Sequence, residues 1–176
     1  MVDNRAVNIK KIPLNIGDVA VSDGPSMLET ILGSCVAVCL WDGELKIAGM
    51  NHYMMPYWMD TMKDPMMCGP ESIEALMTMI INRGANIKDL RAKIFGGGRV
   101  LETLTKGIEI GKENVRVARE VLEDYGIPVI KEYTGNDFGI KVVFYSDTGR
   151  AFIKKLDMKH CTACKENLLL IQGGTL

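Results

Sequence analysis

The stretch TILGSCVAVCLWDGE, Thr30 to Glu44, carries two thiols, one at a Gly-Ser-Cys corner and one four residues further into an apolar run. A thiol does acyl chemistry when a base takes its proton, because the thiolate is the nucleophile. The chain has two histidines, and one of them, His52, follows Cys35 by seventeen residues. Asp42-Gly43 is a strong two-residue hairpin signal and predicts antiparallel strands over Val36 to Trp41 and Leu45 to Tyr53. That loop opposes Trp41 to Glu44, Cys35 to Met50 and Gly33 to His52. Opposed residues share a face, as do residues two apart, so Cys35 and His52 become diagonal neighbours, roughly 7–8 Å apart at Cα. A loop one residue longer would put them on opposite faces. Gly33 permits a tight bend and, with Ser34, leaves room for a substrate carbonyl to approach backbone N–H groups. Cys39, set among Val38, Leu40 and Trp41, reads instead as a small core hydrophobe.

The elements that must hold this hairpin follow from periodicity. Ile73, Leu76, Met77, Ile80 and Ile81 recur at helical spacing between Pro70 and Gly84. A second helix runs from about Lys112 to Tyr125, with Val115, Ala118, Leu122 and Tyr125 on one face, Gly126 as its stop and Pro128 beyond. Between them AKIFGGGRV reads as a buried strand breaking into three glycines. No Lys-Ser or Lys-Thr follows Gly96 to Gly98 at P-loop spacing, so close backbone approach is the better reading than a phosphate cradle. Late in the chain IPVIKEYT, IKVVFYSD and AFIKKLD read as strands, the last two joined at Asp147-Thr148-Gly149. Two helices and about seven strands predict an α+β layered domain. The methionine-rich stretch Met54 to Cys68 is either an adaptable apolar wall or a connection tucked under the helix at Pro70.

A length of 176 residues with 47% hydrophobic content predicts one domain over 1–176, with 157–176 as an extra C-terminal segment. With 21 basic and 22 acidic residues well mixed, there is no electrostatic basis for a nucleic acid partner or a membrane surface. The start MVDNRAVNIKKIP lacks the apolar run of a secretion signal, and no stretch predicts membrane insertion, so a cytoplasmic protein is expected. Five cysteines without an export signal predict reduced thiols. His160, Cys161 and Cys164 on the tail are weak metal-ligand candidates, lacking the second ligand pair of a strong zinc pattern. An amphipathic segment packing Leu168 to Ile171 is the better expectation there.

TILGSCVAVCLWD, AGMNHYMMP, LRAKIFGGG, the Ile110-Gly111 pair three residues ahead of Asn114, and VVFYSDTGRAFIKKL together resemble, in order from about Ile16 to Leu156, the CheD family of chemoreceptor glutamine deamidases. The resemblance implies a layered α/β sandwich of mixed and antiparallel sheets with two main helices, similar to toxin-type Cys–His deamidases. It implies Cys35 as nucleophile, His52 as base and Thr30 as the third catalytic group, with Gly33, Ser34 and Asn51 positioning the substrate or its oxyanion. Strict alternation puts Thr30 on the opposite face from Cys35, so its role requires a bend near Gly33. The implied reaction converts receptor glutamines to glutamate with release of ammonia, needs no cofactor, and extends naturally to glutamyl methyl esters. The implied partners are the cytoplasmic helices of chemoreceptors and a CheC-type phosphatase of phosphorylated CheY. The alternative function is a non-catalytic adaptor that binds and regulates that phosphatase.

Overall fold

The computed structural model describes residues 9–60, 62–99 and 109–156. Nine strands and two α-helices lie among them: β1 (Lys10–Pro13), β2 (Val19–Ser22), β3 (Ser26–Leu32), β4 (Val36–Asp42), β5 (Ile47–Asn51), α1 (Gly69–Ile81), β6 (Leu90–Gly96), α2 (Ile110–Asp124), β7 (Val129–Thr134), β8 (Gly139–Tyr145) and β9 (Ala151–Leu156). The strands form two mixed sheets, one ordered β1-β3-β8-β9 and the other β2-β5-β4-β6-β7. The expected α+β layering is thus observed, with more strands than sequence reading supplied. The tail candidates His160, Cys161 and Cys164, the Leu168 to Ile171 segment and the rest of 157–176 lie outside the described residues.

Side-chain alternation along β4 explains the three layers. Val36, Val38 and Leu40 point to one face and pack with Ile73, Leu76 and Ile80 of α1 and Val115, Ala118 and Leu122 of α2. Ala37 and Cys39 point to the other face and pack with Leu28, Leu32, Val142 and Phe144 of the four-stranded sheet. A strand buried on both faces reads as a continuous apolar run, which is why VAVCL carries no polar position. Cys39 is fully enclosed there, consistent with a packing role.

The hairpin register differs from expectation. Asp42 opposes Ile47, and Met50 is opposed by Cys39, not by Cys35. The connection is therefore the four residues Gly43 to Lys46. The Asp42 carboxylate accepts the N–H groups of Glu44 and Leu45, both at 3.0 Å, and Lys46 takes the left-handed conformation that closes the turn, φ 56°. A two-residue loop needs positive φ within Asp-Gly itself; here the aspartate side chain captures the following amides instead. The partner positions shift by four residues, an even number, so every side chain keeps its predicted face. His52 accordingly sits beside Ala37 in place of Gly33, still diagonal to Cys35. A bridge between Val36 and Tyr53, with both N–H···O distances 3.0 Å, carries this register past the strand ends.

The glycines at the end of β6, Gly96 to Gly98, permit close backbone contact. Gly97 N–H donates to the Cys35 carbonyl at 2.8 Å and Gly98 N–H to the Gly33 carbonyl at 2.7 Å. Gly96 adopts φ 101°, and a Cβ there would overlap the Cys35 carbonyl oxygen. Gly97 and Gly111, at the start of α2, lie back to back: a Cβ at Gly111 would stand 2.6 Å from the Gly97 carbonyl oxygen. This close approach accounts for the Ile110-Gly111 pair and brings the next turn of α2 to the Gly-Ser-Cys corner.

Candidate active site

Cys35 and His52 share the face of the second sheet that looks toward the first, because each precedes a member of the Val36–Tyr53 pair whose side chains face the helices. Thr30 reaches His52 from the other layer. β3 belongs to the four-stranded sheet, and the chain crosses between sheets at Gly33 to Cys35, so alternation along a single strand does not apply. On β3 the residues Leu28, Thr30 and Leu32 are buried and point inward between the sheets.

The Thr30 hydroxyl lies 2.8 Å from the Leu14 carbonyl oxygen and 2.8 Å from His52 Nδ1. A carbonyl only accepts, so the single hydroxyl proton is given to Leu14, and Thr30 Oγ1 must accept from a protonated Nδ1. The neutral imidazole then carries its lone pair on Nε2. His52 is 4% exposed, and Nε2 is buried with no hydrogen-bond partner. An unsatisfied buried acceptor costs about 1–3 kcal/mol. The backbone of His52 is fixed on both sides: its N–H donates to the Asp18 carbonyl at 3.0 Å, and its carbonyl accepts from Gly17 N–H at 2.8 Å.

Burial dominates the electrostatics. It pushes the Cys35 thiol up to about 11, opposed by the thiol's own backbone N–H. It also lowers His52 below 6.5, opposed by the Leu14 carbonyl and by the charge of Asp18. At neutral pH thiol and imidazole are both uncharged, and a proton moves between them only when something stabilises the resulting ions. Among the described residues, the N–H groups of Ser34 and Cys35 donate to no other backbone carbonyl. A groove of about 500 Å³ runs beside His52, its lining including Leu14, Ile16, Glu29, Thr30, Ile31 and Lys141.

One expected site residue is not brought here. Asn51 lies on the helix-facing side of β5, one residue and therefore one face away from His52. Its carboxamide accepts from Val38 N–H at 2.7 Å and donates to Ser72 Oγ at 3.0 Å, so it ties β5 to β4 and α1. Three contributors were missed by sequence reading: the Leu14 carbonyl, Asp18, and Asn114, which donates from α2 to the Ser34 and Met54 carbonyls. Asn114 stood inside a quoted motif; the other two precede the hairpin and have no local signature. The methionine-rich stretch is anchored through Met54 and Met55 N–H to the Met67 carbonyl, and Tyr57 accepts a hydrogen bond from Arg116 of α2. Trp58 and Met59 remain exposed. Among the described residues no three His, Cys, Asp or Glu side chains group as a metal site, and no helix is long and apolar enough to cross a membrane.

These features describe a three-layer α+β protein with a thiol on the same face as a buried, singly protonated imidazole. The family model CheD, chemotactic sensory transduction, matches residues 54–155. A probable chemoreceptor glutamine deamidase CheD of Rhodospirillum rubrum is 37% identical over 143 residues, covering 81% of this chain and 81% of that protein. The protein of the same description from Caldanaerobacter subterraneus subsp. tengcongensis is 34% identical over 152 residues, 84% of this chain and 94% of that one. The chain belongs to the CheD family. Two solved structures are similar in part: Bacillus licheniformis hypothetical protein YfiH at TM-score 0.46 and 21% identity, over 68% of this chain and 51% of that one, and a Neisseria meningitidis DUF152 protein at TM-score 0.49 and 13% identity, over 75% and 66%.

Asn51→Ala is expected to lower the unfolding free energy by about 1–3 kcal/mol, the cost of stranding the Val38 N–H. Urea denaturation measures this, and the alkylation rate of Cys35 in the folded variant should stay at its wild-type value.

Proposed function

We propose that this chain is a protein-glutamine deamidase acting on chemoreceptors, with Cys35 as nucleophile, His52 as general base and acid, and Thr30 holding the imidazole in its reactive tautomer. The names of the relatives support the activity. The single observation that carries the mechanism is the buried, unpartnered His52 Nε2, left as a lone-pair acceptor by the Thr30–Leu14 hydrogen bond.

The reaction follows from the neutral pair. A receptor glutamine side chain approaches along the sheet crossing, with the groove beside His52 receiving neighbouring residues of the helix. His52 Nε2 takes the thiol proton as sulfur attacks the amide carbon, and the Ser34 and Cys35 N–H groups stabilise the oxyanion. The imidazolium gives its proton to the departing nitrogen, and ammonia leaves. Water, deprotonated by the same Nε2, cleaves the thioester to release glutamate and the thiol. Protein and water carry every proton, so the scheme calls for no cofactor. A glutamyl methyl ester presents the same acyl carbon, with methanol as the leaving group, so methylesterase activity is the corresponding side reaction. The cytoplasmic helices of a receptor are the substrate this reading requires. Binding of a CheC-type phosphatase would occupy the same surface.

Intact-mass analysis of a receptor cytoplasmic fragment tests the assignment. Wild-type protein should add about one mass unit per modified glutamine while Cys35→Ala adds none, as expected when the nucleophile is removed. No change with either protein, with both still binding a CheC-type phosphatase, would replace the enzyme with the adaptor.

The pH dependence carries a sign. The reactive form has His52 neutral and the thiol protonated, so kcat/KM should rise as pH climbs through the His52 value, with its midpoint below 6.5. It should stay level through the ordinary thiol range, since Cys35 titrates only near 11. A midpoint above 6.5 would contradict the buried neutral imidazole.

A further inference from the structure

Asn114 belongs to no part of the mechanism above, yet it is fully buried and touches both arms of the site. Its Nδ2 donates to the Ser34 carbonyl at 3.0 Å and to the Met54 carbonyl at 2.9 Å. Both partners are acceptors, so the amide nitrogen must face them and the carboxamide orientation is fixed. Ser34 immediately precedes Cys35, and Met54 follows His52 by two residues. Tyr53, which lies between His52 and Met54, donates its hydroxyl to the Asn114 backbone carbonyl at 2.6 Å. One turn of α2 is thereby bonded to the nucleophile corner and to the histidine segment together.

A peptide group is planar and trans, so its N–H points opposite to its C=O. The Cys35 N–H belongs to the same peptide as the Ser34 carbonyl, and the Ser34 N–H to the same peptide as the Gly33 carbonyl. Gly98 N–H holds the Gly33 carbonyl at 2.7 Å, and Asn114 holds the Ser34 carbonyl. Both carbonyls are drawn toward the glycine segment and α2, which turns both N–H groups the other way. We infer that Asn114 is a positioning residue that aims the Cys35 N–H at the oxyanion of the reaction by fixing the Ser34–Cys35 peptide plane. The inference rests on the Cys35–His52 reading. It also gives a use to a residue otherwise costly to bury, since Asn114 Oδ1 is itself enclosed and unpartnered. A packing residue at this place would serve better as an apolar side chain.

The test separates oxyanion positioning from collapse of the site. Iodoacetamide alkylation of Cys35, read by peptide mass, uses the thiol but forms no oxyanion, whereas deamidation needs both. Asn114→Ala should lower kcat for the receptor fragment about 10²-fold, the scale of losing one oxyanion donor. KM and the alkylation rate of Cys35 should hold at wild-type values. An unchanged kcat, or alkylation falling in step with kcat, overturns the proposal. If Asn114→Ala does not fold, Asn114→Leu takes its place, keeping the bulk of the side chain and removing both Nδ2 hydrogen bonds. Reduced kcat with normal alkylation then supports the clamp, and unchanged kcat overturns it. Cys35→Ala run alongside separates the two failures: activity surviving in Cys35→Ala sinks the thiol mechanism, while a dead Cys35→Ala beside a fully active Asn114→Ala sinks the clamp alone.

Discussion

A hydroxyl has one proton, and in this protein the Thr30 proton goes to the Leu14 carbonyl. The proposed role of His52 as a base depends on that commitment, because it obliges Thr30 to accept from Nδ1 and leaves Nε2 open. The fold supplies the commitment from both sheets. β1 pairs in parallel with β3, and Leu14 N–H continues the ladder to the Glu29 carbonyl at 2.8 Å, placing the Leu14 carbonyl at the inward-facing Thr30. His52 comes from the second sheet, its backbone pinned by Gly17 and Asp18 on the segment leading into β2. The N-terminal residues thus act as a strap that crosses from one sheet to the other beside the imidazole.

Enclosure between the layers gives the pair its character. Desolvation raises Cys35 and lowers His52, so the resting thiol stays protonated. Thiolate is the form that oxidants and alkylating agents attack, so a neutral resting pair keeps the thiol unreactive toward both. In the proposed mechanism the barrier to forming the ion pair is offset in the transition state by backbone N–H groups at the corner, where charge develops on oxygen.

Much of this was legible in the residues. The spacing of Ile73, Leu76 and Ile80 and of Val115, Ala118 and Leu122 gave both helices, since each must bury a stripe on the same sheet. Cys35 and His52 were placed on one face by hairpin parity, and that survived a wrong turn type because the register error was even. What parity along a strand does not reveal is where a chain changes sheets. Thr30 and Cys35 looked incompatible until β3 and β4 proved to lie in different layers. Asn51 was misplaced for the opposite reason: its motif neighbour His52 is one residue away, and on a strand one residue is the other face. Leu14 acts through a backbone carbonyl, which no side-chain pattern announces, and Asn114 acts from a helix eighty positions after the corner it holds.

The proposed mechanism depends on the protonation of one ring, that of His52. Two-bond ¹H–¹⁵N NMR on ¹⁵N-histidine-labelled protein at pH 7 reads the state of each His52 nitrogen directly, with His52→Ala supplying the assignment against His160. A protonated Nδ1 beside an unprotonated Nε2 is the result required of a base whose tautomer Thr30 selects. The reverse tautomer, or a doubly protonated imidazolium, would contradict it.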